Sequence, residues 1–196
     1  MYWNSFVRKG NEEMAREKKI HVVILGLLNH EDLTGYDIKK RIDGAIRFFW
    51  NGSFGNIYPA LKELEEDKMV KSSKASEGAR ERISYHITAK GKKTLENWLK
   101  EEKACNELRY ETLLKLFFAG ASDRESALRN IEVFEEKIRQ DLQILKMHCK
   151  ALEPIKEEED HLYYYLTALF GAETYEAYLK WCAKTKKMLE QQSTVI

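Results

Sequence analysis

A mainly helical chain with one small β-hairpin is predicted, and three observations in the sequence predict it. Apolar residues recur by threes and fours over most of the 196 positions, the spacing of helices with one buried face. One short stretch, Ile83, Tyr85 and Ile87 interleaved with Arg82, Ser84, His86 and Thr88, follows the period of two that belongs to a strand. Hydrophobic residues make up 43% and charged residues 33%, a balance that supports folded cores and excludes a disordered polyelectrolyte. The length accommodates two small domains. The chain divides into an N-terminal arm at 1–19, a helix-turn-helix with a hairpin wing at 20–104, and a helical domain at 105–196.

In order, residues 1–19 are polar apart from Tyr2, Trp3 and Phe6. They read either as a disordered terminus or as an arm whose aromatics pack on a neighbouring subunit. Ile20 to His30, with Val22, Val23, Ile24, Leu25, Leu27 and Leu28, is too apolar for a surface helix and is expected in the core. Thr34 and Asp37 have capping-box spacing, and Ile38, Ile42, Ala45, Ile46 and Phe49 continue one face of the helix they open, with Lys39, Lys40, Arg41 and Arg47 around it.

The chain is organised around Asn51 to Val70. Ile57, Leu61 and Leu64 at i, i+4 and i+7 bury one face of a short helix and turn Asn56, Tyr58, Lys62 and Glu63 away from it. Ser53 is the expected N-cap, which starts the helix near Phe54, although Pro59 would then press on Gly55. The polar face suits a recognition helix in a DNA major groove, and equally a surface helix in any small α+β domain. Met69 to Lys74 has strand character, and Ala75 to Ala79 reads as a polar loop. The returning strand completes a basic hairpin with Lys71, Lys74, Arg80 and Arg82 placed for a phosphate backbone. Thr88 is expected to cap a helix whose Leu95, Trp98 and Leu99 share a face.

Beyond residue 105 the pattern is that of helix association. Ser122 to Glu125 has the spacing of a second capping box. Leu128, Ile131, Phe134, Ile138, Leu142, Leu145, Cys149 and Leu152 then form a long seam, closed by Pro154 and the acidic run Glu157 to Asp160. A last helix carries Leu162, Leu166, Leu169, Tyr175, Leu179 and Leu189. The seam could close within one chain or between two.

Charge is unevenly shared. Residues 1–100 carry 19 Lys+Arg against 14 Asp+Glu and residues 101–196 carry 14 against 18, so the overall +1 divides into +5 and −4. The positive half is the one with the candidate recognition helix. No apolar run nears the roughly 20 residues of a membrane span, and no signal-peptide core is present, so a cytoplasmic protein is expected. Cys105, Cys149 and Cys182 are far apart, which suggests reduced, partly buried thiols and neither a disulfide framework nor a metal site. A P-loop, a GxGxxG after a strand and an HExxH are all missing. An enzyme and a bound cofactor are therefore not expected.

Three ordered motifs carry a resemblance. ILGLLNHEDLTGYDIKKRI at 24–42, FWNGSFGNIYPALKELEEDKMV at 49–70 and ISYHITAKGKKTLENWL at 83–99 resemble the PadR-like transcriptional regulators. RYETLLKLFFAG at 109–120 and AYLKW at 177–181 are similar to the helical C-terminal domain of the long form of that family. The resemblance implies a homodimeric repressor whose 53–68 helix enters the major groove of a double-stranded DNA operator, with the hairpin as wing and release by a small molecule or stress signal. On that reading the DNA-binding candidates are Lys39, Ser53, Asn56, Tyr58, Lys62, Lys71, Lys74, Arg80 and Arg82. Asn56 and Tyr58 are expected near bases or sugar, and Ser53 and Lys62 near phosphate. Trp98, Tyr110, Phe117 and Phe118, near the junction of the two halves, are the candidates for a small hydrophobic or aromatic effector, with ordinary core packing as the alternative for each. Two departures stand out: Lys68 replaces the glycine usual at the end of the recognition helix, and Asn56 replaces a small hydroxyl residue. A protein-binding adaptor built on the same fold is the competing reading, and the basic, polar character of helix and wing favours DNA.

Overall fold

The structure, a computed structural model, describes residues 19–50, 57–77, 80–102, 104, 106 and 109–191. The chain separates into two compact units, Met1–Cys105 and Asn106–Ile196.

In the first unit, helix α1 at 19–28 leads through a turn to strand β1 (Leu33–Thr34), helix α2 (Gly35–Gly44) and a 3-10 turn at Ile46–Phe48. Helix α3 (Ile57–Glu66), strands β2 (Val70–Glu77) and β3 (Arg80–Ile87) and helix α4 (Ala89–Leu99) follow. The strands form an antiparallel sheet in the order β1-β3-β2, with Leu33 opposite Tyr85 and Val70 opposite Ile87. Ile24 and Leu25 of α1, Ile38 and Ile42 of α2, and Leu61 and Leu64 of α3 are fully buried together. Each such side chain contributes about 1.5–3 kcal/mol by leaving water, so the core locks the three helices in place and fixes which face of α3 remains outside.

The caps explain where the helices start and stop. Thr34 accepts from the Asp37 N–H at 3.2 Å while the Asp37 carboxylate takes the Thr34 N–H, the capping box read from the sequence. Helix α2 ends at Gly44, so Phe49, expected on the same buried face, is exposed beyond it. Pro59 is the third residue of the described α3, and Gly55, on which its ring would press, lies outside the described residues.

Lys68 makes the left-handed cap itself. Its φ is 58°, the Lys68 N–H donates to the Glu65 carbonyl and the Met69 N–H to that of Leu64, which is the Schellman pattern. The turn is held from outside, because the Thr88 hydroxyl reaches the Lys68 carbonyl at 2.8 Å and that of Met69 at 3.0 Å. A side chain in this backbone region costs about 1–2 kcal/mol, which glycine avoids at a smaller cost in chain entropy. Lys68→Gly is therefore expected to raise stability by about 1 kcal/mol, read as a higher denaturant midpoint at unchanged m. A lower midpoint would show that the lysine side chain contributes more than the strain removes.

Three expectations in this unit are corrected. The strands run to Glu77 and resume at Arg80, leaving a shorter connection than a loop over Ala75 to Ala79. Ile83 is exposed, since its partner across the ladder is Lys74, beyond the helices that cover Tyr85 and Ile87. On α4, capped by Thr88 through the Gly91 N–H, Leu95 is buried and Trp98 packs on the core, but Leu99 is exposed.

In the second unit, helix α5 (Glu111–Phe117) and a 3-10 turn at Ala119–Ala121 precede two long helices, α6 (Arg124–Leu152) and α7 (His161–Gln191). These last two pack antiparallel, as cross-links in opposite chain directions show: Lys146 pairs with Glu176 at 2.7 Å, and Lys186 with Glu135. The Glu135 carboxylate also receives Arg139 and holds the Lys186 ammonium above its ordinary range. The seam on α6 is Ala127, Ile131, Ile138, Leu142 and Leu145. On α7 the buried face differs from the expected one: Ala168, Gly171, Ala172 and Cys182 are buried, whereas Leu162 and Leu166 are exposed. Small residues let the helices approach, and a Cβ at Gly171 would lie 3.0 Å from Leu145 Cδ2. The cap of α6 is also corrected by one residue. Asp123, not Ser122, accepts the Ser126 N–H at 2.7 Å, and Glu125 pairs with Arg129 instead.

Candidate nucleic-acid interface

The face of α3 left outside is narrow and polar. Ile57, Ala60, Leu61 and Leu64 are buried. Tyr58 is 65% exposed, which removes the possibility that it packs under the helix. Lys62 is exposed and pairs loosely with Glu66 at 3.7 Å. Glu63 turns towards α1, where its carboxylate lies 3.0 Å from His21 Nε2 without the alignment of a hydrogen bond. Glu65 takes both the backbone N–H and the hydroxyl of Ser72, which ties β2 to the side of the helix. Asn56 and Ser53 lie outside the described residues.

The wing follows from the strand register. Lys71 pairs with His86, Lys74 with Ile83, Ala75 with Arg82 and Glu77 with Arg80. Lys71 and Lys74 are both exposed. Being three residues apart, however, they project from opposite faces of the ribbon, so the four basic positions do not form the single stripe that composition alone suggests. The side chains of Arg80 and Arg82 lie outside the description. Lys39 is on the exposed side of α2 and is paired with Asp43.

Two residues that sequence reasoning passed over join this surface. Tyr36 is an exposed aromatic on the first turn of α2, and Gly35 beside it is buried under the Tyr58 ring. Their signal was present in TGYD, but periodicity treats a glycine and a surface tyrosine as neutral. Tyr85, beneath the wing, has its phenol pushed up by burial and then by Glu65 and Tyr58.

Residues 24–97 match the Transcriptional regulator PadR-like family, and residues 108–190 match the family described as Virulence activator alpha C-term. The negative transcriptional regulator PadR of Bacillus subtilis is 27% identical over 178 residues, 86% of this chain and 96% of its own. Its structure in complex with operator DNA superposes with a TM-score of 0.75 at 26% identity, covering 86% of this chain and 98% of the other. The protein carries a PadR-like transcriptional-regulator domain followed by a Virulence activator alpha C-term domain. A structure of the same Bacillus subtilis protein in complex with p-coumaric acid gives a TM-score of 0.69 at 25% identity, over 87% of this chain and 98% of the other.

The four aromatic effector candidates have different surroundings. Trp98 is in the first unit, packed on the core with Lys19 Nζ 5.0 Å from its ring centre. Tyr110, in the second, shares a hydrogen bond with the Tyr178 hydroxyl at 2.9 Å, and its ring meets Phe134 and Tyr178 edge-on. Burial and that bond push its phenol well above the usual tyrosine range. Phe117 and Phe118 are exposed and touch each other, with ring centres 5.1 Å apart. A crevice of about 500 Å³ between α5 and α6 is lined by residues that include Leu114, Lys115, Phe118, Asp123, Ala127 and Asn130. Among the described residues, no cluster of His, Cys, Asp and Glu is placed to hold a metal ion, and no helix is long and apolar enough to cross a membrane.

Proposed function

We propose that this PadR-like regulator is a homodimeric repressor that reads a double-stranded operator through α3 and the β2–β3 hairpin, and that a small aromatic molecule releases it. The observation that carries the reading is the exposure of Tyr58 and Lys62 on a helix whose other face is fully buried: side chains that stabilise nothing inside are available to contact a partner. Lys71 and Lys74 on the adjoining hairpin suit that partner to phosphate. That the Bacillus subtilis relative is a negative transcriptional regulator, with complexes with operator DNA and with p-coumaric acid, supports both halves of the proposal. Residues 20–104 would then be the DNA-reading domain and residues 105–196 the dimerising one, acting in the cytoplasm with 1–19 as an arm. The second unit supports dimerisation with Tyr163, Leu166, Phe170 and Met188, large apolar side chains left exposed on α7 in a pattern that commonly marks an interface. Effector contact falls to Phe117, Phe118 and the crevice beside them, because the Tyr110 hydroxyl is already engaged by Tyr178.

The test is selection of duplexes from a random-sequence pool. The wild-type protein is expected to enrich one sequence family with paired half-sites, and p-coumaric acid is expected to weaken the complex. Tyr58→Phe and Tyr58→Ala should each bind the selected duplex more weakly with an unchanged melting temperature. A Tyr58→Ala protein that unfolds, or one that binds like wild type, would contradict the contact role. Failure of p-coumaric acid and of related aromatic acids to release DNA would remove the effector half.

A further inference from the structure

A glycine at the start of a helix has two physical justifications, a left-handed backbone or a close approach by a neighbour. Gly35 has only the second: its φ is outside the left-handed range, and Thr34 and Asp37 hold it in an ordinary first helical turn. A Cβ added there would lie 2.7 Å from Tyr58 Cε1, 3.2 Å from Cζ and 3.4 Å from Cδ1. Gly26 and Gly44, by contrast, have nothing within 4 Å of that position. The neighbour is therefore one particular ring. That ring is not in the core, since Tyr58 is 65% exposed and sets one edge against Gly35.

An exposed side chain set into a backbone notch has lost rotamer freedom without the compensation of full burial. Such an arrangement is expected where the orientation of the group matters. We infer that Gly35 is a positioning residue for DNA recognition: its missing side chain seats the Tyr58 ring across the first turn of α2 and aims the hydroxyl end of the ring at the sugar-phosphate backbone. The inference rests on the DNA-reading role proposed above for α3. Alanine is the better helix former, and its methyl would meet a rotatable side chain, not main chain. Gly35→Ala should therefore turn the ring aside and leave the fold intact.

The test is a double-mutant cycle with Gly35→Ala, Tyr58→Ala and the double variant in the full-length protein, using a duplex selected by the wild type. Gly35→Ala is expected to keep or raise the thermal midpoint while weakening binding about tenfold, the scale of one hydrogen bond to a charged group. Added to Tyr58→Ala, it should change affinity less than about twofold, because the ring it displaces is already gone. Losses that multiply in the double variant, or a thermal midpoint that falls in step with affinity, would overturn the inference. Wild-type binding by Gly35→Ala with weak binding by Tyr58→Ala would overturn the positioning role alone. Wild-type binding by both would remove Tyr58 from the interface altogether.

Discussion

Gly91→Ala is expected to destabilise the first unit by about 3 kcal/mol, the upper part of the range for overpacking. A Cβ at this position would lie 2.2 Å from the Met69 carbonyl oxygen, 2.8 Å from Ile87 Cγ1 and 3.1 Å from Leu25 Cδ2. The first of these is main chain and cannot rotate away. That carbonyl also accepts both the N–H and the hydroxyl of Thr88 at 3.0 Å, so moving it opens the point where the end of α3, the start of β2 and the cap of α4 are joined. Alanine's better helix propensity recovers only about 1 kcal/mol. Urea unfolding should show a lower midpoint at unchanged m. A loss below about 1 kcal/mol would mean that α4 shifts outward at little cost, and that the Thr88 junction is looser than its hydrogen bonds imply. Gly35 makes the contrast: there a rotatable ring is the neighbour, and the expected loss is in binding, not in folding.

The elements legible in the sequence are those set by one strong local rule. The buried face of α3 follows from Ile57, Leu61 and Leu64, and Thr34, Asp37 and Thr88 place two helix starts correctly, because period and cap chemistry act within a few residues. What was not legible depends on distant partners. Leu162 and Leu166 stand out on hydrophobicity, yet α7 turns Ala168, Gly171 and Ala172 to its neighbour, since close helix packing selects small side chains that a hydropathy pattern undervalues. The cap of α6 fell on Asp123 because two adjacent residues both have capping chemistry, and only the course of the chain chooses between them. Lys68 stands where the family resemblance expects glycine, and the Schellman hydrogen bonds and the Thr88 hydroxyl hold the lysine in the conformation that glycine adopts freely. On α3, the exposure of Tyr58 and Lys62 could be read by subtracting the apolar face. The notch at Gly35 was not legible because it is an empty volume beside a residue 23 positions later in the chain.

Removing all four cations of the wing, Lys71, Lys74, Arg80 and Arg82, is expected to lower the slope of log K against log salt by about 3.6, since each phosphate neutralised contributes about 0.9. At about 0.15 M salt this corresponds to roughly a thousandfold loss of affinity, the same for selected and unrelated duplexes because counterion release carries no sequence information. The strand register makes the single variants informative. Lys71 and Lys74 leave opposite faces of the ribbon, so a flat hairpin lying on one strand of DNA would bring only one of them to phosphate. A two-stranded ribbon is about 4.8 Å between strand axes, however, and the minor groove is only about 6 Å wide between two phosphate rims. A wing laid along that groove has a rim on each side. Lys71→Ala and Lys74→Ala are therefore each expected to reduce the slope by about 0.9, additively. A reduction confined to one lysine would place the hairpin flat against a single strand, and no reduction from the fourfold variant would remove the wing from the interface.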